Sequence, residues 1–142
     1  MALSDKNGIS GPVNEALAEK IRARVNAECR LPCAVAFVIA AEENQEPLVI
    51  GQTADALGIR LTRCQLGLFG YPGHAKGWER LPADTPVAEE LRAALWAAAT
   101  EGAITCQALW ELAAQFGVAR LFVGYVADQS GLKVVSCQLG AF

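Results

Sequence analysis

Cys64-Gln65-Leu66-Gly67-Leu68-Phe69 returns near the end of the chain as Cys137-Gln138-Leu139-Gly140-Ala141-Phe142. The two runs close a longer repeat. Residues 31–69 align without a gap to residues 104–142 at a constant offset of 73, and 13 of the 39 pairs are identical. Such self-similarity is read before any local pattern, because it sets the architecture. One supersecondary unit occurs twice. A chain of 142 residues then divides into an N-terminal arm over 1–12, a first repeat over 13–81 and a second over 82–142. Units of that size bury too little surface to be stable alone, so the halves are expected to pack together.

Working outward from the repeat, each copy reads as three helices and a strand. Leu17, Ile21 and Val25 recur at helical spacing among Glu19, Lys20, Arg22 and Arg24. With Pro12 suited to a first turn, they predict a helix over 13–27. Its counterpart is expected to start at Thr85-Pro86 and to carry Leu91 and Leu95. A second helix starts near Pro32 or Thr105 and places Phe37 and Trp110 in one core slot. It ends at Asn44 or Gly117, residue types that tolerate the left-handed conformation. A third helix covers 47–57 and 120–130. Its retained pairs Gly51/Ala54 and Gly124/Ala127 leave a small-residue face for a crossing helix. Gly58 and Gly131 end it. Strands are expected over 59–69 and 132–142, with Trp78 to Leu81 returning as a hairpin partner to the first. A lone final strand leaves backbone groups unpaired, so 132–142 is expected to lie antiparallel to 59–69. The fold class is mostly α with small β, two tandem units about a pseudo-twofold axis.

The stretch Ile39-Ala40-Ala41-Glu42-Glu43-Asn44-Gln45-Glu46-Pro47-Leu48-Val49-Ile50-Gly51-Gln52-Thr53-Ala54 resembles the core of the helix-turn-helix and winged-helix families. An alanine precedes a Gly/Asn turn by about four residues, with an apolar residue and a second helix beyond. Leu112 to Ala127 repeats the pattern with Gly117-Val118 at the turn. The resemblance implies that 47–57 and 120–130 are recognition helices and that 70–78 is a wing. In DNA-binding members the recognition helix enters the major groove. The implied contacts are Gln52, Thr53 and Arg120 on those helices, and Arg60, Arg63, Tyr71, His74, Lys76 and Arg80 on and beside the wing. The implied function is a regulatory, non-catalytic module on double-stranded DNA. The alternative is a protein-interaction module on the same scaffold, with a protein partner or a second copy and no DNA.

Charge leaves both readings open. The net charge is −3, not the footprint of a strong phosphate binder. Locally, Arg60, Arg63, Lys76 and Arg80 face only Glu79 within 59–80. The third helices are mostly apolar, whereas groove readers rely on Arg, Lys, Asn or Gln.

Little points to catalysis or to a cofactor. Cys33, Cys64, Cys106 and Cys137 recur between the copies and Cys29 does not. Four such thiols suit zinc, a cluster or a disulfide, but the short CxxC spacing of metal sites is absent, and buried cysteine packs as a small hydrophobe. A cysteine-ligated metal or redox site is a third reading. His74 is the only histidine, and Gly73 to Gly77 lacks the Ser/Thr and spacing of a phosphate loop. Gln65 and Gln138, polar in an apolar strand, call for a hydrogen bond to a neighbouring helix end or for a ligand. Five cysteines, a polar start and no long apolar run predict a cytoplasmic protein without a membrane partner.

Overall fold

The computed structural model describes residues 14–82 and 84–142; the expected arm over 1–12 lies outside them. The first helix, α1 (Glu15–Arg24), starts at Asn14, whose Oδ1 accepts the Leu17 N–H at 3.1 Å. That cap satisfies one of the N–H groups left open at a helix start. Then come β1 (Leu31–Pro32), α2 (Cys33–Glu42), α3 (Pro47–Ala56) and β2 (Leu61–Thr62). A 3-10 turn at Gly77–Arg80 precedes α4 (Glu89–Ala98), β3 (Ala103–Thr105), α5 (Cys106–Phe116), α6 (Arg120–Gln129) and β4 (Lys133–Val135). The fold is mostly α with small β.

The backbone bends at equivalent points. Asn44 and Gly117 are both left-handed, at φ 53° and 65°, and turn α2 into α3 and α5 into α6. Arg63 and Ser136 repeat this at φ 49° and 55°, directly before Cys64 and Cys137. Thr105 caps α5 by accepting the Ala108 N–H at 3.0 Å. Pro47 opens α3, where a missing N–H costs nothing.

Several expectations fail for identifiable reasons. The strands are two or three residues long, not eleven. They pair within a copy and in parallel: Leu31 with Leu61, and Ile104 with Val134. The expected antiparallel pairing of 132–142 with 59–69 is therefore wrong. Two helices lie between the paired strands, and a crossover of that length returns the chain in the same direction. Trp78 to Leu81 is a 3-10 turn with its end, not a hairpin strand. In the expected wing, the bridging is one isolated bridge between Tyr71 and His74. Helix α4 starts at Glu89, not at Thr85-Pro86, because the Thr85 hydroxyl donates to the Pro82 carbonyl at 2.6 Å in a preceding turn.

The compact units are not the sequence repeats. The first unit runs to Cys64 and includes Gln138–Ala141; the second is Gln65–Cys137 with Phe142. Each retained cysteine thus stays with its own helices, while the Gln-Leu-Gly that follows it packs in the unit of the other copy. The division falls at Cys64 and not near 81 because Leu66 and Trp78 are buried in the second unit.

In the first unit, Ile21, Leu31, Ala36, Ile39 and Ile50 form a core, with Leu139 added. Lys20 pairs with Glu43 at 3.2 Å and Arg24 with Glu42 at 3.1 Å, tying α1 to the end of α2. In the second unit, Leu91, Leu95, Ile104, Leu109, Val123 and Val126 form the core, with Leu66 added. The glycines of the small faces of α3 and α6 meet non-helical chain. Gly51 lies against the Leu139 backbone and Gly124 against the Leu66 backbone, so a Cβ on either would overlap the leucine carbonyl.

This approach gives a direct expectation. Gly51→Ala and Gly124→Ala should each cost at least about 2 kcal/mol, because a rigid backbone carbonyl must move. Gly131→Ala meets open space and carries only its left-handed φ of 76°, at a cost of about 1 kcal/mol. Urea denaturation of the three variants checks the order.

Candidate functional site

The nine side chains expected to touch nucleic acid divide between the two units. Gln52, Thr53, Arg60 and Arg63 belong to the first unit. Thr53 is buried, and its hydroxyl donates to the Val49 carbonyl one turn earlier at 2.7 Å. It is therefore no base reader. Gln52 is half-buried. Arg60 and Arg63 are exposed beside β2, with Arg63 projected from a left-handed residue.

Tyr71, His74, Lys76, Arg80 and Arg120 belong to the second unit. The Tyr71 ring lies where a Cβ on Gly77 would stand, so this glycine lets the turn close. His74 Nδ1 lies 3.3 Å from Glu79 Oε1, and Glu79 Oε2 accepts the Lys76 backbone N–H at 3.0 Å. One carboxylate thus holds both ends of the turn. The Arg80 side chain lies outside the described part of the structure.

Arg120, the first residue of α6, is committed within its own unit. Its guanidinium stacks over the Trp110 ring at 3.6 Å from the centroid, and Nη1 donates to Gln65 Oε1 at 2.7 Å. A planar cation over an indole face gains from the ring quadrupole. Gln65 thereby finds the helix-end partner that its place in the sequence called for. Trp110 and Phe37 are half-buried, not core. Tyr125, on the same helix as Arg120, is 9% exposed and stacks with Phe122 at 6.0 Å.

The cysteines make no centre. Cys33, Cys64 and Cys106 are buried, Cys137 is half-buried, Cys29 is exposed, and no disulfide joins any two of them. Among the described residues, no three His, Cys, Asp or Glu side chains are grouped to hold a metal ion.

The second unit contains a feature that the sequence did not announce: an open cavity of about 360 Å³. Gly124 and Asp128, one turn apart on α6, form one side. Leu68 and Phe69 of the repeated run, with Leu132, Lys133 and Val134 around β4, continue the wall. Lys76, Trp78 and Phe142 complete it. Trp78 is 7% exposed and Lys76 is half-buried. The Lys76 ammonium donates to the Leu68 carbonyl at 3.3 Å and stands 5.8 Å from the Trp78 ring centre. Of these residues, Lys76 alone carries a binding expectation from the sequence. Lys76 and Trp78 come from the linker between the aligned copies, so the repeat offered no signal for them. Asp128 aligns with Asp55 in the first copy, and the alignment does not mark it as a cavity wall.

No protein-family model, curated protein or solved structure matches the chain.

The Arg120 contacts yield a measurable consequence. Arg120→Ala should destabilise the protein by about 1 kcal/mol and alter Trp110 emission. Arg120→Lys should recover only part of this, because an ammonium cannot stack and bond Gln65 as a flat fork does. Thermal unfolding and fluorescence of the two variants check it.

Proposed function

We propose that the chain is a non-catalytic protein-interaction module on a helix-turn-helix frame, and that its contact face is the outer side of α4. The observation that carries this reading is the contrast between α4 and α1. Leu91 and Leu95 occupy the buried positions that Leu17 and Ile21 hold in α1. In that register the outward Glu19 and Arg22 of α1 correspond to Ala93 and Trp96 of α4. Ala93, Trp96 and Ala97 lie at i, i+3 and i+4, all exposed, with Trp96 at 50%. One helix therefore faces water with charge, and the other with an indole among alanines. Tryptophan is the residue type most enriched where protein contacts concentrate their binding energy, and a contiguous apolar patch is atypical of free surface.

The same frame is a poor groove reader. The glycine faces of α3 and α6 are covered by backbone, Thr53 and Tyr125 are buried, and Arg120 is engaged. Glu42 and Glu46, both exposed, flank the turn into α3. A second reading is favoured by one observation: Arg60 and Arg63 are exposed beside β2. It takes the form of contacts to nucleic-acid phosphates without base readout.

Two measurements separate the readings. A gel shift on random duplex at low salt should show no binding; a complex that weakens with salt and is lost in Arg60→Ala/Arg63→Ala selects the second. A photo-crosslinking amino acid at position 96 should form a covalent protein adduct, with a second copy or another chain, that the same probe at position 22 does not form. Equal labelling at both positions, with a monomer in sedimentation at all concentrations, overturns the interaction reading.

A further inference from the structure

We propose that the open cavity of the second unit binds a small carboxylate carried on a flat apolar body. Its volume of about 360 Å³ lies within the range of small-molecule sites, which starts near about 300 Å³. Such sites combine apolar walls with placed polar groups, and this one sets aromatic and aliphatic side chains beside a somewhat larger share of polar surface. Trp78, Phe69 and Phe142 supply aromatic surface, and Leu132 and Val134 supply aliphatic surface.

The charged groups select the sign of the ligand. Among the residues that line it, two are cationic, Lys76 and Lys133, and one is anionic, Asp128. Lys76 is held in place: one N–H goes to the Leu68 carbonyl, and its charge sits near the Trp78 ring. An ammonium has three N–H donors, and among the described residues one of them is engaged. Lys133 is exposed on β4, and among the described residues its side chain makes no ion pair. A monoanion balances the excess of one positive charge, and a flat body lies against the aromatic wall.

The cavity is also well defined mechanically. Its α6 side includes Gly124, which the Leu66 carbonyl fixes at contact distance. Another part of the wall is Lys76 and Trp78 at the 3-10 turn, where the Lys76 N–H is bonded to Glu79. Neither part depends on a loose loop, so little ordering is required when a ligand enters.

The test uses the full chain and 2-naphthoate, with 2-naphthamide as its neutral counterpart, followed by titration calorimetry and tryptophan emission. Saturable single-site binding of the carboxylate is expected, with the amide weaker by about tenfold, the loss of one charge-assisted contact. Lys133→Ala, at an exposed position, should weaken binding about fivefold or more. Lys76→Met should do the same while keeping its stem over Trp78. Asp128→Asn should tighten binding by relieving like-charge repulsion. Lys20→Ala, in the first unit, should change nothing. The inference is overturned if 2-naphthoate shows no saturable binding at millimolar concentration. It is equally overturned if carboxylate and amide bind alike, or if the affinity ignores Lys133→Ala and Asp128→Asn.

Discussion

A helix glycine pressed against a leucine carbonyl is the contact on which each unit depends. Gly51 meets Leu139 in the first unit and Gly124 meets Leu66 in the second. No side chain intervenes, so the distance between helix and chain is set by backbone alone. That closeness lets Leu66 and Leu139 become fully buried. It also explains the Gln-Leu-Gly run: Leu fills the core and presents its carbonyl to the helix. The following Gly67 and Gly140 turn away at φ 86° and 81°, a conformation other residues rarely adopt.

The contact also shapes what the surface offers. A helix whose glycine face is covered by another segment cannot lay that face in a DNA groove. In the proposed reading, function falls to places where the copies differ. Two are apparent: the outer side of α4, where an indole stands in the register of an arginine, and the linker that brings Lys76 and Trp78 to the cavity. The copies share their packing; their chemistry lies in the exceptions.

Much of the helical frame was legible in the sequence because local signals and burial agreed. Pro47, Thr105, Asn44 and Gly117 mark ends of α2, α3, α5 and α6, and the structure places those ends within a residue or two. The strands were misread because hydrophobicity in 59–69 and 132–142 reports burial, not pairing. Only Leu61–Thr62 and Lys133–Val135 join a ladder; Leu66 and Leu139 are buried as turns. The small face of the third helix was correctly seen as a close approach, but glycine spacing cannot tell a crossing helix from a crossing strand of chain. The cavity was illegible for another reason. Its walls come from α6, β4, the repeated run, the linker and Phe142, segments that no local period connects.

The passage of the chain at Cys64 and again at Cys137 has a consequence for biosynthesis. The helices of the first unit emerge from the ribosome first, yet the unit is incomplete until Leu139 has been made, after every element of the second. The second unit finds Leu66 already waiting when α6 appears. Both units therefore close only when the last run, Gln138 to Phe142, has been made. Until that run is made, the place beside Gly51 that the Leu139 carbonyl takes lacks its occupant.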